Sequence, residues 1–543
     1  MKTFLILSLI IFLVAPVFSF VHENDGTIVE ISNGKIQGHI LQSAEGTDYY
    51  AFQEIPFAAP PIGKNRFKLP QEPKNWKGVL NTTKNTKVCY QGNYYPNLEK
   101  TEDCLYLNVY TPVQPGGDKA LPVLFWIHGG GFNWGSGTYD DYGPKYLMDH
   151  GIVVVATNYR LNAFGFATTE DDVIPGNLGM KDVQLALRWV NKNIRRFGGN
   201  PNQVIIAGES CGSMGVGMLL MGPWSDEVEL FHGAIMESSS QLGGVYQLNA
   251  RQNAFKLGKL VNSSFSSEDS NDLLDILQQA STENIYNAGV SYGTVTEKTG
   301  DFSYPPLQAF MDKNFKSIPV MIGINSEEWI RFALTRNNTL LEELDNDPSL
   351  LVSPNINMSL KNRTIAGSRL KKVYTTKSFS EDFGAYIRWA SDNDFSTPTG
   401  KQVELAADTI PYYLYQFSYK GELGGSVSPD LIVPGAERVG HMEELHYYWE
   451  FLNNNDLSIF PKEDQITLHR MVKMWTNFVK YLNPTPEKDP LLFNITWPKS
   501  TPQNLEYLNI NNTFEVRQQL RQYKEVSKIL DEYMEPPFDA YGH

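Results

Sequence analysis

A serine enclosed by two glycines, directly after a β-branched run, is the feature that most restricts how this chain can fold. Residues 204–215 read VIIAGESCGSMG and place Ser210 between Gly208 and Gly212. The run before the serine predicts a buried strand, and the segment after it predicts a helix. A turn tight enough to join them leaves room only for small residues beside the serine, so the pattern indicates a side chain presented at a strand-to-helix junction.

The neighbouring segments continue this alternation of strands and helices. LPVLFWIHGGG and GIVVVATNYR are apolar runs closed by turn residues, as expected of strands buried on both faces, and residues 180–197 have apolar side chains at helical spacing. This order predicts an α/β fold with a large, mostly parallel central sheet and helices on both faces. In such sheets ligands bind at the carboxyl ends of the strands, where Ser210 would lie. Residues 514–534 predict a C-terminal helix with one apolar face.

Charge and the N-terminal residues restrict the partners and the compartment. The 543-residue chain has a net charge of −15 and no lysine or arginine cluster, which argues against nucleic acid as a partner. Lys2, an apolar run over residues 4–14 and Pro16 predict a secretory signal peptide over residues 1–19, and the run is shorter than the roughly 20 residues of a membrane span. We therefore expect a secreted, extracellular protein with no membrane span. Length alone would suggest about three domains.

Cysteines and glycosylation acceptors agree with secretion. Three cysteines suggest one disulfide and one free thiol, and we pair Cys89 with Cys104 because they lie close in sequence, which leaves Cys211 reduced. Seven Asn-x-Ser/Thr motifs are predicted to be glycosylated surface positions: Asn81, Asn262, Asn337, Asn357, Asn362, Asn494 and Asn511.

A second glycine-rich segment offers the donors that acyl transfer needs. HGGGF, residues 128–132, follows another predicted buried strand. Backbone N–H groups must stabilise the negative charge that develops on a carbonyl oxygen, and glycines let the backbone approach a substrate closely. We assign this oxyanion hole to the N–H groups of Gly130, Gly131 and Cys211. His128 is interpreted as a structural residue and not as the catalytic base.

Longer segments resemble the type-B carboxylesterase and cholinesterase family. The resemblance rests on HGGGF, EDCLYLNVYTP (102–112), the segment 176–210 that ends at the serine, WTNFVKYLNPTP (475–486) and YAFQEIPFAAPPIGKNRF (50–67). It covers about residues 28–500 and implies one α/β-hydrolase domain over residues 20–543 instead of three. Within the family, YGPKYLMDHGIVVVATNYRL (142–161) is most similar to secreted arthropod carboxylesterases.

The resemblance also implies the partners of the serine. The family's acid lies in a Gly-x-Asn-x-x-Glu pattern, which points to Glu328, and its base lies in a pattern matched by GAERVGHMEEL, which points to His441. A serine hydroxyl attacks only when an imidazole takes its proton, and a carboxylate must hold that imidazole. The order Ser210, Glu328, His441 is that of α/β-hydrolases. In relatives, further carboxylates lie near the triad at positions matched by Glu209 and Glu444.

Neighbouring residues compete for these assignments, and two positions depart from the family pattern. His446 is the nearest alternative base, but it follows the Glu-Glu-Leu sequence instead of preceding it. Glu327 adjoins the proposed acid, but successive side chains diverge and only one can reach the histidine. Cys211 stands where alanine is usual, from which we expect sensitivity to mercurials. Trp329 stands where glycine is usual and adds a large aromatic side chain close to the triad.

These inferences converge on a secreted, glycosylated serine carboxylesterase that hydrolyses small carboxylic esters through an acyl-enzyme intermediate. No metal or cofactor is required, and the chain is expected to act as a monomer or a homodimer. The short loop from Cys89 to Cys104 lacks the choline-stacking tryptophan of cholinesterases. The alternative is a catalytically silent adhesion or structural protein similar to neuroligins, which share the fold but typically lack a triad residue and carry a transmembrane helix.

Overall fold

The computed structural model describes residues 26–221, 229–243, 245–335, 338–428, 431–451 and 456–542. The signal peptide predicted over residues 1–19 and the acceptor Asn337 lie outside these ranges. The strands are β1 (Ile28–Ile31), β2 (Gly34–Gln37), β3 (His39–Gln42), β4 (Asp48–Pro56), β5 (Val79–Asn81), β6 (Lys87–Cys89), β7 (Glu99–Thr101), β8 (Tyr106–Thr111), β9 (Leu121–Ile127), β10 (Val153–Thr157), β11 (Gly199–Glu209), β12 (Gly233–Glu237), β13 (Val320–Asn325), β14 (Tyr412–Phe417), β15 (Glu506–Ile510) and β16 (Phe514–Gln518).

Helices lie between most of the later strands. They are α1 (Asn162–Phe166), α2 (Leu178–Asn193), α3 (Cys211–Leu220), α4 (Ala250–Val261), α5 (Ser270–Gln279), α6 (Thr282–Asn287), α7 (Pro306–Met311), α8 (Ile330–Ala333), α9 (Asn338–Asn346), α10 (Leu360–Tyr374), α11 (Phe383–Ser391), α12 (Thr397–Ala406), α13 (Lys462–Tyr481) and α14 (Tyr523–Tyr533). None of these described helices is both long and apolar enough to cross a membrane.

An eleven-stranded sheet, ordered β16-β15-β14-β13-β12-β11-β9-β10-β8-β4-β3, organises the described part of the chain. Its middle is parallel, since β9 pairs in parallel with β10 and β11 and the parallel run continues through β12 to β15. Antiparallel pairs form both ends, with β16 on β15 and with β10, β8, β4 and β3 in succession. The carboxyl ends of the parallel strands meet at one edge, and β11 ends there directly before Ser210.

Both faces of this sheet are covered by helices, as the sequence predicts. Successive side chains of a strand point to opposite faces. In β9, Val123 and Phe125 belong to the buried cluster that includes side chains of α2 and α3, whereas Leu124 and Trp126 belong to the cluster on the other face, which includes side chains of α13. Each of these four is almost fully buried. Burial on this scale stabilises the fold by about 1.5–3 kcal/mol for each large apolar side chain.

The C-terminal segment differs from its predicted form. The helix predicted over residues 514–534 is a strand followed by a helix, since β16 occupies Phe514–Gln518 and α14 begins only at Tyr523. The residues of β16 alternate between apolar and polar side chains, which suits an edge strand, and Val516 pairs antiparallel with Leu508 of β15. The open edge of β15 therefore determines this structure, because pairing there satisfies backbone groups that a helix would leave unpaired at the edge.

The predicted disulfide between Cys89 and Cys104 is present, and Cys211 is a free, buried thiol. Burial raises the pKa of the Cys211 thiol to about 12, which opposes the mercurial sensitivity suggested by the sequence. We expect the native protein to take up no thiol reagent on the time scale in which the denatured, unreduced protein takes up one equivalent at Cys211. Peptide mapping after alkylation measures both, and labelling of Cys89 or Cys104 would contradict the pairing.

Six of the predicted glycosylation acceptors lie within the described ranges, and all six are at least partly exposed. Surface exposure is the minimum that a glycan requires, so glycosylation of these positions stays a prediction. The exposed acceptors are Asn81, Asn262, Asn357 and Asn494, and the partly exposed ones are Asn362 and Asn511.

Candidate active site

Ser210 lies in a strained turn between β11 and α3. Its φ of 56° and ψ of −126° fall outside the regions that residues with side chains normally adopt. The flanking glycines are required by contact: a Cβ on Gly208 would lie 2.5 Å from the backbone of Gly212, and a Cβ on Gly212 would lie 2.1 Å from the carbonyl oxygen of Ile127. The backbone of the turn therefore packs directly against the end of β9, with no room for a side chain at positions 208 and 212.

The glycine loop after β9 passes directly beside this serine. A Cβ on Gly129 would lie 3.2 Å from the Cβ of Ser210, and Gly130 and Gly131 have φ of 106° and 61°. The Gly130 carbonyl oxygen accepts from the N–H groups of Asn133 and Trp134. Within the described part of the chain, the N–H groups of Gly130 and Gly131 donate to no backbone oxygen. The Gly131 N–H lies close to the Cys211 sulfur, which is only a weak acceptor, so both N–H groups are available to a substrate oxygen.

A third N–H group lies at the start of α3. Cys211 is the first residue of that helix, and the first N–H groups of a helix have no partner inside it. The donors assigned from the sequence therefore come from two elements that meet beside Ser210. Both elements were predicted from a short-range pattern, because each has glycine next to a buried strand.

His441 and Glu328 form a buried pair. Nδ1 of His441 lies 2.7 Å from Oε2 of Glu328, and the other carboxylate oxygen accepts from the Asn325 N–H at 2.6 Å. The backbone N–H of His441 also donates to the carbonyl oxygen of Glu328 at 3.2 Å. Glu328 is fully buried and follows the carboxyl end of β13. The carboxylate is thus held by the backbone in a position that orients the imidazole.

The other ring nitrogen of His441 faces Glu209. Oε1 of Glu209 lies 2.9 Å from Nε2, close enough for an ion pair although the atoms are not aligned as a hydrogen bond. Burial alone would lower the pKa of His441, but the charges of Glu209 and Glu328 outweigh it and raise this pKa to about 10. Among the described residues no hydrogen bond joins the Ser210 hydroxyl to His441, and such bonds are often long before substrate binds.

Two more carboxylates are buried behind this pair. Glu444 accepts from Ser238 Oγ at 3.0 Å and from Asn325 Nδ2 at 2.5 Å, and the backbone N–H of the same Asn325 donates to Glu328. Glu237 accepts from the Tyr448 hydroxyl and from the Trp475 indole N–H, both at 2.6 Å. Burial raises the pKa of Glu237 to about 8 and raises that of Glu444 well above its usual value. Sequence reasoning missed Glu237, whose only signal is a glutamate at the end of an apolar strand.

The competing residues are directed elsewhere. Glu327 Oε1 pairs with Arg521 Nη1 at 2.7 Å, so it does not share His441 with Glu328. His446 stacks on Phe451 with ring centroids 4.3 Å apart, and burial lowers its pKa to about 4. His128 is likewise fully buried and stacks on Tyr159. These contacts favour Glu328 and His441 over their neighbours Glu327 and His446, and they agree with the interpretation of His128 as a structural residue.

Aromatic side chains that the sequence did not reveal surround His441. The rings of Phe332 and Phe395 lie 5.5 Å and 5.0 Å from the imidazole. Trp329 packs edge-on against Phe332, and its indole N–H donates to Asp394 at 2.5 Å. Trp329, at the position where glycine is usual, therefore packs behind Phe332, while Glu328 keeps its 2.7 Å contact with His441.

A cavity of about 50 Å³ adjoins the glycine loop. Gly129, Gly130 and Glu209 line one side of it, and Asp141 and Tyr142 line another. Asp141 accepts from the Tyr95 and Ser136 hydroxyls, each at 2.6 Å, and burial raises its pKa to about 6. The cavity thus adjoins the candidate site through Gly130 and Glu209.

Comparison with known proteins decides the family. The sequence profile of the carboxylesterase family matches residues 25–526. The chain belongs to the carboxylesterase family. Relatives of this family member include the juvenile hormone esterase of Tribolium castaneum, 33% identical over 87% of this chain and 85% of that protein. Venom carboxylesterase-6 of Apis mellifera is 30% identical over 91% of each chain.

Solved structures confirm the predicted α/β-hydrolase fold. The juvenile hormone esterase of Manduca sexta, crystallised with OTFP covalently attached, matches this carboxylesterase-family chain with a TM-score of 0.80 and 26% identity. The match covers 93% of this chain and 99% of that one. The large sheet and its surrounding helices are therefore those of an esterase of this fold.

Proposed function

We propose that the protein is a secreted serine carboxylesterase that uses Ser210 as nucleophile, His441 as base and Glu328 as the group that orients the base. The observation that supports this most is the arrangement around Ser210: a strained serine lies beside the glycine loop that carries the N–H groups of Gly130 and Gly131. The buried His441–Glu328 pair contacts Glu209, the residue directly before the serine. Family membership and the names of the relatives support ester hydrolysis. The proposal includes removal of residues 1–19 and a single domain over residues 20–543.

The chemistry follows from these positions. Ser210 Oγ attacks the ester carbonyl carbon while His441 Nε2 takes its proton, and the carbonyl oxygen becomes an oxyanion held by the N–H groups of Gly130, Gly131 and Cys211. The carbonyl re-forms as the alcohol leaves with the proton from His441. Water then attacks the acyl-enzyme by the same route and releases the acid. Glu328 stabilises the imidazolium in both steps without taking its proton.

The test is to measure turnover and active-site labelling together. Residues 20–543 are expressed, hydrolysis of p-nitrophenyl acetate and hexanoate is measured, and the protein is titrated with an organophosphate. We expect turnover that falls to zero as about one phosphoryl group attaches per chain, with the label on Ser210. A folded protein that shows neither turnover nor labelling would remove the esterase function and favour the silent binding protein.

We expect Glu209→Gln to move the acid limb of the pH profile of kcat/KM to lower pH. His441 acts as a base only after losing its proton, so the activity of the free enzyme rises with pH through the His441 pKa. That pKa is raised to about 10 by Glu209 and Glu328, and removing one of the two charges lowers it by about one unit or more. Rates measured across neutral and alkaline pH check this. An unmoved limb would mean that the Glu209 charge does not control His441.

A further inference from the structure

The thiol of Cys211 lies within a chain of contacts that the proposed mechanism does not use. The Phe132 N–H donates to Sγ at 3.1 Å, and the Tyr159 hydroxyl oxygen lies 3.7 Å from the same sulfur. The Tyr159 hydroxyl donates to the His128 carbonyl oxygen at 2.8 Å. His128 precedes the three glycines of the loop and Phe132 follows them. The chain of contacts therefore joins both ends of the segment that carries two of the proposed oxyanion donors.

The Tyr159 hydroxyl has a single hydrogen, and this determines which group donates in each of these contacts. Because the single hydrogen of the Tyr159 hydroxyl goes to the His128 carbonyl, its oxygen is left to accept from the thiol. A thiol donates only while protonated, and burial, which raises the pKa of Cys211 to about 12, keeps it protonated at neutral pH. Alanine at this position would offer neither an acceptor to Phe132 nor a donor to Tyr159.

The glycine loop has a backbone that needs such support. Gly130 and Gly131 both have positive φ, and Phe132 has a φ of 61° although it carries a side chain. Strained residues keep their conformation only where the surrounding contacts hold them. The Phe132 carbonyl oxygen accepts from the Asn162 N–H at 2.7 Å, and the Cys211 sulfur holds the N–H on the other side. Without the sulfur, a buried donor would be left unpaired next to the loop.

We propose that the side chain of Cys211 is a positioning residue, which holds the N–H groups of Gly130 and Gly131 in place for the oxyanion through its hydrogen bonds with Phe132 and Tyr159. The proposal rests on the esterase function proposed above. The sulfur acts through the loop and not on the substrate. Its effect falls on the transition state, because the oxyanion that the loop holds exists only there.

Substitutions along the chain of contacts test this. We expect Cys211→Ala to lower kcat by about tenfold with little change in KM, less than the roughly 100- to 1,000-fold lost with a whole oxyanion donor. The affinity for a trifluoromethyl ketone, which forms a tetrahedral adduct with the serine, is expected to fall by a similar factor. Cys211→Ser keeps both an acceptor and a donor and is expected to recover most of each loss. Tyr159→Phe removes the next link and is expected to behave like Cys211→Ala.

Hydrogen–deuterium exchange with mass spectrometry reports the position of the loop without relying on activity. We expect faster exchange over residues 129–134 in Cys211→Ala and Tyr159→Phe, and near wild-type exchange in Cys211→Ser. Ser213→Ala is the matched control, because it removes another buried hydrogen bond of α3, the 2.7 Å contact of Ser213 Oγ with the Ser239 carbonyl oxygen. That contact does not involve the glycine loop, so exchange over residues 129–134 is expected to stay unchanged.

The outcomes separate this proposal from the esterase function. In an active enzyme, unchanged exchange or unchanged kcat in both Cys211→Ala and Tyr159→Phe would overturn the positioning role. Equal acceleration in Ser213→Ala would overturn it as well, by assigning the effect to a general loss of stability. If the wild-type protein is inactive, selective acceleration in the two variants supports the held loop while the esterase function fails. If Cys211→Ala does not fold, Tyr159→Phe carries the test, since it lies outside α3.

Discussion

Ser210→Ala is expected to lose about 10⁵- to 10⁶-fold in kcat for p-nitrophenyl esters while folding normally. In the proposed mechanism the hydroxyl oxygen forms the covalent bond to the acyl group, and alanine offers nothing in its place. Stability is expected to change little, because the strain at φ 56° affects alanine and serine alike and the hydroxyl makes no hydrogen bond within the described residues. Steady-state kinetics, thermal melting and organophosphate labelling measure these expectations together.

The control for this variant is another serine nearby. Ser213 is fully buried in the same helix and directs its hydroxyl at the Ser239 carbonyl, so Ser213→Ala is expected to retain organophosphate labelling. Adding His441→Ala to Ser210→Ala is expected to cost little more, because residues that act as a unit lose their effect together. Retention of more than about a hundredth of the wild-type kcat by Ser210→Ala would contradict its role as nucleophile.

Glu328→Gln is expected to lower kcat by about 10³- to 10⁴-fold, while Glu327→Gln leaves kcat within about threefold of wild type. The two residues are adjacent, but only Glu328 contacts the imidazole, at 2.7 Å from Nδ1. Glutamine there removes the charge that stabilises the imidazolium and brings an amide N–H that favours the wrong tautomer. Kinetic measurements on both variants with one ester make this a matched comparison.

Thermal melting separates the two roles further. Glu327 Oε1 pairs with Arg521, which is otherwise held by Asp392 at 3.3 Å. Glu327→Gln is therefore expected to lower the melting temperature, because a partly buried guanidinium loses one of two charged partners. Equal losses of kcat in the two variants would contradict the assignment of Glu328 as the residue that orients His441.

The serine turn and the two-faced sheet could be predicted because they follow from short-range rules. Glycines at positions 208 and 212 are required by contacts with the first turn of α3 and with β9. The Gly-x-Ser-x-Gly spacing therefore predicts the turn. The apolar runs of β9 and β10 predicted strands covered on both faces. The Cys89–Cys104 disulfide was also predicted from local spacing and is present. The roles of Glu328 and His441 came from resemblance to a family, because spacing alone does not join residues 113 positions apart.

The features that were predicted wrongly or missed depend instead on contacts between segments far apart in the chain. The strand β16 was predicted as helix, since only the open edge of β15 shows that a pairing partner exists there. Glu237 was missed because its partner Trp475 lies 238 positions away. The mercurial sensitivity expected of Cys211 followed from residue type, whereas its burial and its contact with Phe132 follow from the packing of α3 against the glycine loop.

By itself, then, the sequence determined which chemical groups this protein holds and which of them lie at turns beside buried strands, because those features depend on sterics within a few residues. The tertiary structure alone decided which carboxylate reaches which nitrogen of His441 and how strongly its pKa is raised. It also decided what the Cys211 thiol supports. Such properties depend on the burial of these groups and on distances between segments far apart in the chain, and neither can be predicted from residue spacing.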